Sequence, residues 1–364
     1  MFNKINSLFI SLKKISNLIT QATKFKIYAI LLAFLDKVGI NAIFRTINKK
    51  KLAILMFHGI SKKNFSYSHK RLIPKKLFEE ILKYLKKKNY IFITLSDWLK
   101  IVKRQINHNY IILTFDDGFK NIIENAYPIM LKYGAKGCFY VVSSLIGNYQ
   151  LLLSDYLEVL VRNHNNSIFK FVFKNKEIIY PLNSEQQIRK AYGDIKVKLR
   201  NLPNKEKISH LKQFPFSNNI SNFQKVPKDY LISNWEELSS LNKNILEIGC
   251  HTKTHPLLEM LNSEIELNEE LYQSKLEIEK KIGYSIYHLC YPAGSYNKSV
   301  IQSAGKYGYR TGVTVEEGFN SINSDLFQLK RLKINNDFLM FKFKISGFYY
   351  FIKNIFQNLI LKQK

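Results

Sequence analysis

Between its two ends the chain alternates short apolar runs with stretches of helical spacing. Residues 52–57 (LAILMF), 110–115 (YIILTF), 137–143 (GCFYVVS), 245–250 (ILEIGC) and 287–291 (YHLCY) are compact, mostly apolar runs. Such runs predict strands buried on both faces. Residues 75–88 place Leu77, Ile81, Leu82 and Leu85 at helical spacing, and 122–133, 263–281 and 300–307 read as further helices. Gly134 and Gly283 are natural helix stops. Strand and helix in alternation predict a parallel sheet or a (β/α) barrel. From about 150 to 232 the rhythm changes. Phe169, Phe171 and Phe173 alternate with polar neighbours, a turn follows at 174–177, charged helical patterns occupy 184–213, and 217–225 is rich in Asn and Ser. This stretch reads as an insertion whose phenylalanine face packs on the barrel, either covering the barrel mouth or decorating its side.

The ends have a different pattern. Phe2, Ile5, Leu8, Phe9, Leu12, Ile15, Leu18 and Ile19 recur every three or four residues with lysines and asparagines between them. They predict an amphipathic helix that lies on an anionic membrane or packs on the protein's own core. Residues 338–364 mix aromatic and aliphatic residues with lysines, and Gly347 divides them. That mixture suits a membrane interface and also suits nucleic-acid stacking. The expected organisation is a basic helical segment at 1–50, a catalytic domain at 51–337 and a basic aromatic tail at 338–364. The apolar run 27–35 is about half of what a spanning helix needs and has no cleavage site after it. The expected location is therefore cytoplasmic, peripheral to the inner membrane.

Charge sharpens this picture. The 364 residues carry 56 Lys and Arg against 28 Asp and Glu, a net charge of +28, which calls for an anionic partner. Residues 1–50 hold nine of the cations and one acid, Asp36, and no acid follows Asp337. Cys138, Cys250 and Cys290 are too few and too widely spaced for a disulfide framework and read as buried thiols.

The candidate chemistry sits just after the predicted strands, at the edge where α/β folds hold their sites. Asp116-Asp117-Gly118 follows YIILTF. One carboxylate can bind a metal while the other acts as a base, although Asp-Gly is also ordinary turn chemistry. His251 and His255 follow ILEIGC, and on a helical turn two histidines four apart reach one metal. With Asp117 they leave a coordination position open for water. The loop Tyr291-Pro292-Ala293-Gly294 can present backbone N–H groups to an oxyanion or be a plain turn.

In chain order, His58-Gly59, TFDDG, HTKTH and YPAG resemble the polysaccharide deacetylase family, the NodB-homology carbohydrate esterases of family 4 type. The resemblance covers roughly 52–150 and 232–335, and the basic ends are similar to members associated with surface-polysaccharide or lipopolysaccharide assembly. It implies an α/β fold, a distorted (β/α) barrel of the NodB type with an inserted subdomain and helical basic ends. It also implies metal-dependent hydrolysis of N-acetyl groups from sugars of a surface polysaccharide or lipid-linked glycan. Carried over, Asp116 is the general base, with a metal-bound water as nucleophile. Asp117, His251 and His255 hold a divalent ion, zinc in the first instance with cobalt or another ion as alternatives. Tyr291, Pro292, Ala293, Gly294 and Leu329 form the substrate and oxyanion region.

Two positions depart from the family pattern. Cys290 stands where an Arg that tethers the catalytic Asp is often found. Leu329-Lys330-Arg331 stands where an L-x-H histidine is often found. Arg331 is always charged and cannot serve as an ordinary acid, so the expectation is that it supplies the tether to Asp116. The proton donor then falls to His58, Lys333 or water, with His58 preferred because it ends the first strand. The competing readings are a glycan- or lipid-docking protein with a vestigial site, and a nucleic-acid binder. No RNP, KH or helix-turn-helix signature supports the latter, so no nucleic-acid partner is expected.

Overall fold

The computed structural model describes residues 30–62, 71–103, 108–148, 150–164, 166–200, 202–211, 227–261 and 263–361. The amphipathic stretch at 1–20 and the polar stretch at 217–225 lie outside the described residues. The chain forms two units, one of residues 50–336 and one joining 1–49 to 337–364.

The larger unit is a closed barrel of seven parallel strands: β1 Ala53–Phe57, β2 Tyr110–Phe115, β3 Gly137–Val141, β4 Leu246–Cys250, β5 His288–Cys290, β6 Thr311–Glu317 and β7 Leu329–Lys333. Each strand pairs with the next in sequence, and β7 returns to β1 through the register Leu55 to Leu332. A two-residue strand, Ile91–Phe92, adds to the start of β2 outside the ring. The helix Lys75–Lys87 turns Leu77, Phe78, Ile81, Leu82 and Leu85 inward, and its Phe78 meets Phe57 and Phe115 on the outer wall. Each such side chain taken fully out of water contributes about 1.5–3 kcal/mol.

Alternation along the strands sorts residues into layers inside the barrel. Ile54, Ile112, Cys138, Tyr140, Cys290, Val313 and Leu329 belong to one buried cluster. On β4, Glu247, Gly249 and His251 share a face. Glu247 accepts from the backbone N–H groups of Leu95 (3.0 Å) and Ser96 at the start of the helix Leu95–Ile101, and sits 3.5 Å from His288 Nε2. Gly249 lies beneath the Tyr140 ring, where a Cβ would stand 2.5 Å from two ring carbons. The three cysteines are free and buried.

The insertion contains the helix Leu153–Arg162, an antiparallel hairpin of Ile168–Phe173 with Lys176–Pro181, and the helices Glu185–Arg200 and Asn204–Leu211. Phe169 and Phe171 are fully buried, but their core partners all come from residues 151–230, among them Tyr156, Val159, Ala191 and Ile195. The phenylalanine face expected to lie on the barrel instead seeds the insertion's own core, because the helix Glu185–Arg200 presents an apolar stripe to it.

The smaller unit gathers the described terminal helices. Leu32, Phe343 and Phe348 form its core with Phe44 and Phe351 packed around them. Asp36 accepts from Asn41 and pairs with Lys342, and Asn48 donates to the Ser346 carbonyl (2.9 Å). Gly347, at φ 91°, separates the helices Phe338–Ser346 and Phe348–Leu361. Among the described residues no helix is long and apolar enough to cross a membrane.

Candidate active site

The period of two along β2 carries Ile112, Thr114 and Asp116 into the barrel one above another. Asp116 therefore enters the barrel mouth almost wholly buried, and β7 answers it. Leu329 belongs to the buried core layer, Arg331 sits above it, and Lys333 reaches the cavity beyond. Arg331 grips Asp116 with two parallel hydrogen bonds, Nη1 to Oδ1 at 2.7 Å and Nη2 to Oδ2 at 2.9 Å. Its Nε–H donates to the Thr314 carbonyl (2.7 Å) and Nη1 also donates to Thr114 Oγ1 (3.1 Å). The Arg331 guanidinium is 1% exposed. Burial works to raise the Asp116 carboxyl, and Arg331 together with His58 and His251 outweighs it, so the pKa falls below the usual value. The sequence expectation that Arg331 reaches Asp116 thus describes the geometry.

Asp117 leaves the strand in a left-handed turn, φ 77°, and points the other way. Its Oδ1 lies 3.5 Å from His251 Nε2 and 3.6 Å from His255 Nε2. Two donor atoms on one tetrahedral ion at about 2.1 Å stand roughly 3.4 Å apart. Burial depresses His255 to about 3 and leaves it neutral, whereas Cys290 and Asp117 outweigh burial and raise His251 well above its usual value, so an ion binding there displaces a proton from His251. The Nδ1–H of His251 donates to the Cys290 carbonyl (2.8 Å), which turns Nε2 toward Asp117. Asp117, His251 and His255 can therefore hold one divalent ion. Asp116, His251 and Cys290 also converge. That set suits an ion less, because Asp116 is engaged with Arg331 and burial raises the Cys290 thiol pKa.

The two histidines do not sit on a helical turn. Residues 251–257 form a loop in which Thr252 (φ 68°) and His255 (φ 61°) are left-handed, and Thr252 Oγ1 accepts the His255 N–H (3.0 Å). Glu270 ties the loop down by accepting from the N–H groups of Lys253 and Thr254. This curl brings the rings to 4.7 Å between centroids. Of seven non-glycine residues with positive φ among the described residues, four are Asp117, Thr252, His255 and Ala293. Backbone strain is thus concentrated at this site, as it is at functional sites generally.

The loop after β5 narrows the choice of oxyanion donor. Pro292 has no N–H, the Gly294 N–H is spent on the Tyr291 carbonyl (2.9 Å), and the Tyr291 N–H donates to Val313. Ala293 (φ 52°) lines the cavity, and its N–H has no partner among the described residues. Leu329, Pro292 and Gly294 do not line the cavity, while Tyr291, Ala293 and His58 do. Leu329 instead fills the barrel core, because the period of two that places Arg331 at the mouth puts residue 329 one layer down. Burial lowers the His58 pKa against the pull of Asp117 and Asp116, so its ring is neutral at neutral pH.

Two residues with no motif in the sequence complete the site. Arg71 donates to Asp117 Oδ2 (2.7 Å) and pairs with Asp155, a fully buried carboxylate on the insertion helix Leu153–Arg162. An acid inside the apolar run LLLSDYLEVL was the available signal for Asp155. The insertion also walls the cavity of about 730 Å³ over the site, through Leu152, Leu153, Leu157, Lys196, Arg200 and Lys207 among others.

The barrel thus opens at the C-terminal ends of its strands onto a clamped carboxylate and an Asp-His-His triplet, an arrangement that can assist hydrolysis with a bound ion. Residues 103–312, more than half of the chain, match the family model of polysaccharide deacetylase, and the chain belongs to that family. Its enzyme class is accordingly that of a deacetylase hydrolase. The match ends before β7, so Arg331 lies outside it. The chain is similar to the putative polysaccharide deacetylase YxkH of Bacillus subtilis, 22% identical over 302 residues, covering 81% of this chain and 75% of the relative. Among solved structures it is similar in fold to the Streptococcus pyogenes deacetylase PplD, at 19% identity and a TM-score of 0.52, covering 79% of this chain and 94% of that one. It is also similar to IcaB from Ammonifex degensii, at 14% identity and a TM-score of 0.53, covering 82% and 97%.

Proposed function

We propose that the protein hydrolyses the N-acetyl group of an N-acetylated sugar belonging to a surface polysaccharide or a lipid-linked glycan. The observation that carries this reading is the Arg331–Asp116 clamp standing beside Asp117, His251 and His255. It offers an ionised base next to a ligand set for a divalent ion. When bound, such an ion, zinc in the first instance, supplies polarisation of the acetyl carbonyl and acidification of water. The chain's own residues do the rest. Asp116 takes the proton of the attacking water, and Arg331 keeps its carboxylate ionised and aimed. Arg71 and the His251–Cys290 contact hold the ligand set in place. The Ala293 N–H donates to the acetyl oxygen as negative charge develops on it. The acetate forms, and the sugar nitrogen leaves as an amine after receiving a proton from Lys333 or water, or from His58 once that neutral ring has itself taken up a proton. Exchange of His58 and Lys333 one at a time for Gln and Met distinguishes these donors, because loss of the true donor lowers kcat without weakening substrate binding. The reading is tested by incubating the purified protein with N-acetylglucosamine oligomers and lipid-linked N-acetyl sugars, with and without zinc or cobalt. Metal-dependent acetate release is expected, and no release from any of these substrates overturns the reading.

The same reading places the protein on an anionic membrane surface. Ile30, Phe34 and Val38 recur every four residues and are more than half exposed, with Ile43 and Ile47 exposed on the next helix beside Lys37 and Arg45. Apolar residues at this spacing with cations nearby support docking in the headgroup plane. Flotation with anionic vesicles checks it: the parent floats, and a variant with Phe34 and Ile47 changed to Ser does not. Equal flotation of the two removes this surface.

A further inference from the structure

The cavity over the site carries more positive charge than the hydrolysis needs. Six Lys or Arg side chains line it. Arg71 and Arg331 are matched by Asp117, Asp155 and Asp116. The other four are Lys196, Arg200 and Lys207 from the insertion and Lys333 from β7, and the one further acid in the lining is Glu317. Setting Glu317 wholly against Lys333 still leaves three insertion cations. Among the described residues, no carboxylate lies within ion-pair distance of any of the three.

These three cations are placed rather than scattered. Lys196 and Arg200 stand four apart, on one face of the helix Glu185–Arg200, and Lys207 comes from the next helix. Lys198, on the same helix, faces away from the cavity and pairs with Asp194 (3.5 Å). The Lys196 ammonium donates to the Tyr192 hydroxyl (3.1 Å), which steadies it. Burial, with Arg71 nearby, pulls the Lys196 pKa below the ordinary lysine value against the partial pull of Asp155, Glu158 and Asp117, and burial alone lowers that of Lys207. Aliphatic side chains, among them Leu153, Leu157 and Val197, flank the cations on the same wall. A neutral oligosaccharide can accept hydrogen bonds from these groups but brings no countercharge to them.

We propose that the substrate is a phosphorylated N-acetyl sugar. Lys196, Arg200 and Lys207 hold its phosphate or diphosphate group while the acetamido group lies at Asp116 and the Asp117, His251 and His255 set. This rests on the deacetylase reading above for the position of the acetamido group, and on the charge of the insertion wall for the phosphoanion. Lys and Arg ammonium and guanidinium groups make charge-assisted hydrogen bonds to phosphate oxygens, and the aliphatic wall lies where a lipid attached through that phosphate would run.

The test uses the full chain, its triple variant Lys196→Gln, Arg200→Gln, Lys207→Gln, and Lys198→Gln as a control on the same helix. Equilibrium binding is measured by calorimetry for N-acetylglucosamine, N-acetylglucosamine 1-phosphate, a prenyl-diphosphate-linked N-acetylglucosamine in detergent, and a uronate-containing N-acetylated oligomer. Acetate release from each is measured alongside. The phosphorylated sugars should bind at least about tenfold more tightly than N-acetylglucosamine, an advantage that salt weakens and the triple variant loses. Lys198→Gln should leave it intact. Tighter binding of the lipid-linked compound than of the free 1-phosphate assigns the aliphatic wall to a lipid, and equal binding assigns the site to a soluble phosphate. Equal affinity for phosphorylated and neutral sugars in the parent, or a triple variant with unchanged phosphate affinity, overturns the proposal. A uronate oligomer that binds as tightly as the phosphates and is lost in the triple variant overturns the phosphate assignment. Phosphate binding that follows the three cations without acetate release from any compound sinks the deacetylase reading and leaves the anion site standing. Acetate release from neutral and phosphorylated sugars alike, with phosphate affinity untouched by the triple variant, does the reverse.

Discussion

Replacing Arg331 by Met isolates the bond on which the site is built. The Arg331 and Asp116 side chains are 1% and 4% exposed and joined by hydrogen bonds of 2.7 and 2.9 Å. Met fills similar volume but leaves the Asp116 carboxylate buried with its main partner gone, and leaves the Thr314 carbonyl without the Nε donor. Removing one member of a buried pair costs about 3–5 kcal/mol. For a unit of this size that is a fall in Tm on the order of 10 °C. Adding Asp116→Asn removes the stranded charge, so the double variant should be more stable than Arg331→Met alone, by about 2 kcal/mol. Urea unfolding of the parent, both single variants and the double variant closes the cycle. Acetate release by Arg331→Met should fall at least about a hundredfold at neutral pH, since the base loses both its charge support and its aim. Arg331→Lys should not restore it, because an ammonium cannot make the paired grip. If Arg331→Met lies within 1 kcal/mol of the parent, or the double variant loses the sum of the two singles, the clamp is not what holds Asp116.

Three further outcomes follow from the same geometry. Glu247 is held below its usual pKa: burial opposes this, and His288 with the Ser96 N–H overcomes it. A depressed carboxyl stabilises the fold above its unfolded pKa of about 4.5 and loses that contribution as the pH falls, so the stability gap between the parent and Glu247→Gln should be full at pH 7 and close as the pH drops below that value. A gap that stays constant with pH contradicts the assignment. Gly249→Ala places a methyl 2.5 Å from the Tyr140 ring and 2.9 Å from Cys138 Sγ, which should cost roughly 1–3 kcal/mol in urea unfolding. Zinc at a hundred times its Kd should raise the unfolding free energy of the parent by about 2.7 kcal/mol and leave His255→Ala unmoved. An equal gain in both places the ion elsewhere.

Much of the barrel was readable because its early strands are buried on both faces. LAILMF is wholly apolar, and YIILTF and ILEIGC are interrupted only by Thr114 and Glu247. β6 and β7 were not readable in the same way. TGVTVEE and LKRLK carry polar residues partly because their upper layer is the site itself, where Glu317, Arg331 and Lys333 replace apolar side chains. The strand Ile91–Phe92 is too short to leave a pattern. Asp116, Asp117, His251 and His255 were legible as strand-end motifs. The conformation that joins the histidines was not, since left-handed backbone at Thr252 and His255 has no helical or strand period. Arg71, Asp155, Lys196, Arg200 and Lys207 reach the site from a connecting segment and an insertion, and long-range placement of this kind leaves no spacing in the sequence.

The most direct test of the central claim is acetate release from an N-acetylated sugar by the zinc-loaded parent and Asp116→Asn, with the zinc content of both measured on the same samples. Equal zinc content with at least about a thousandfold less acetate from Asp116→Asn is the expected result, because the ligand set survives and the base is lost. Equal zinc and equal acetate would contradict the claim that Asp116, clamped by Arg331, takes the proton in this reaction.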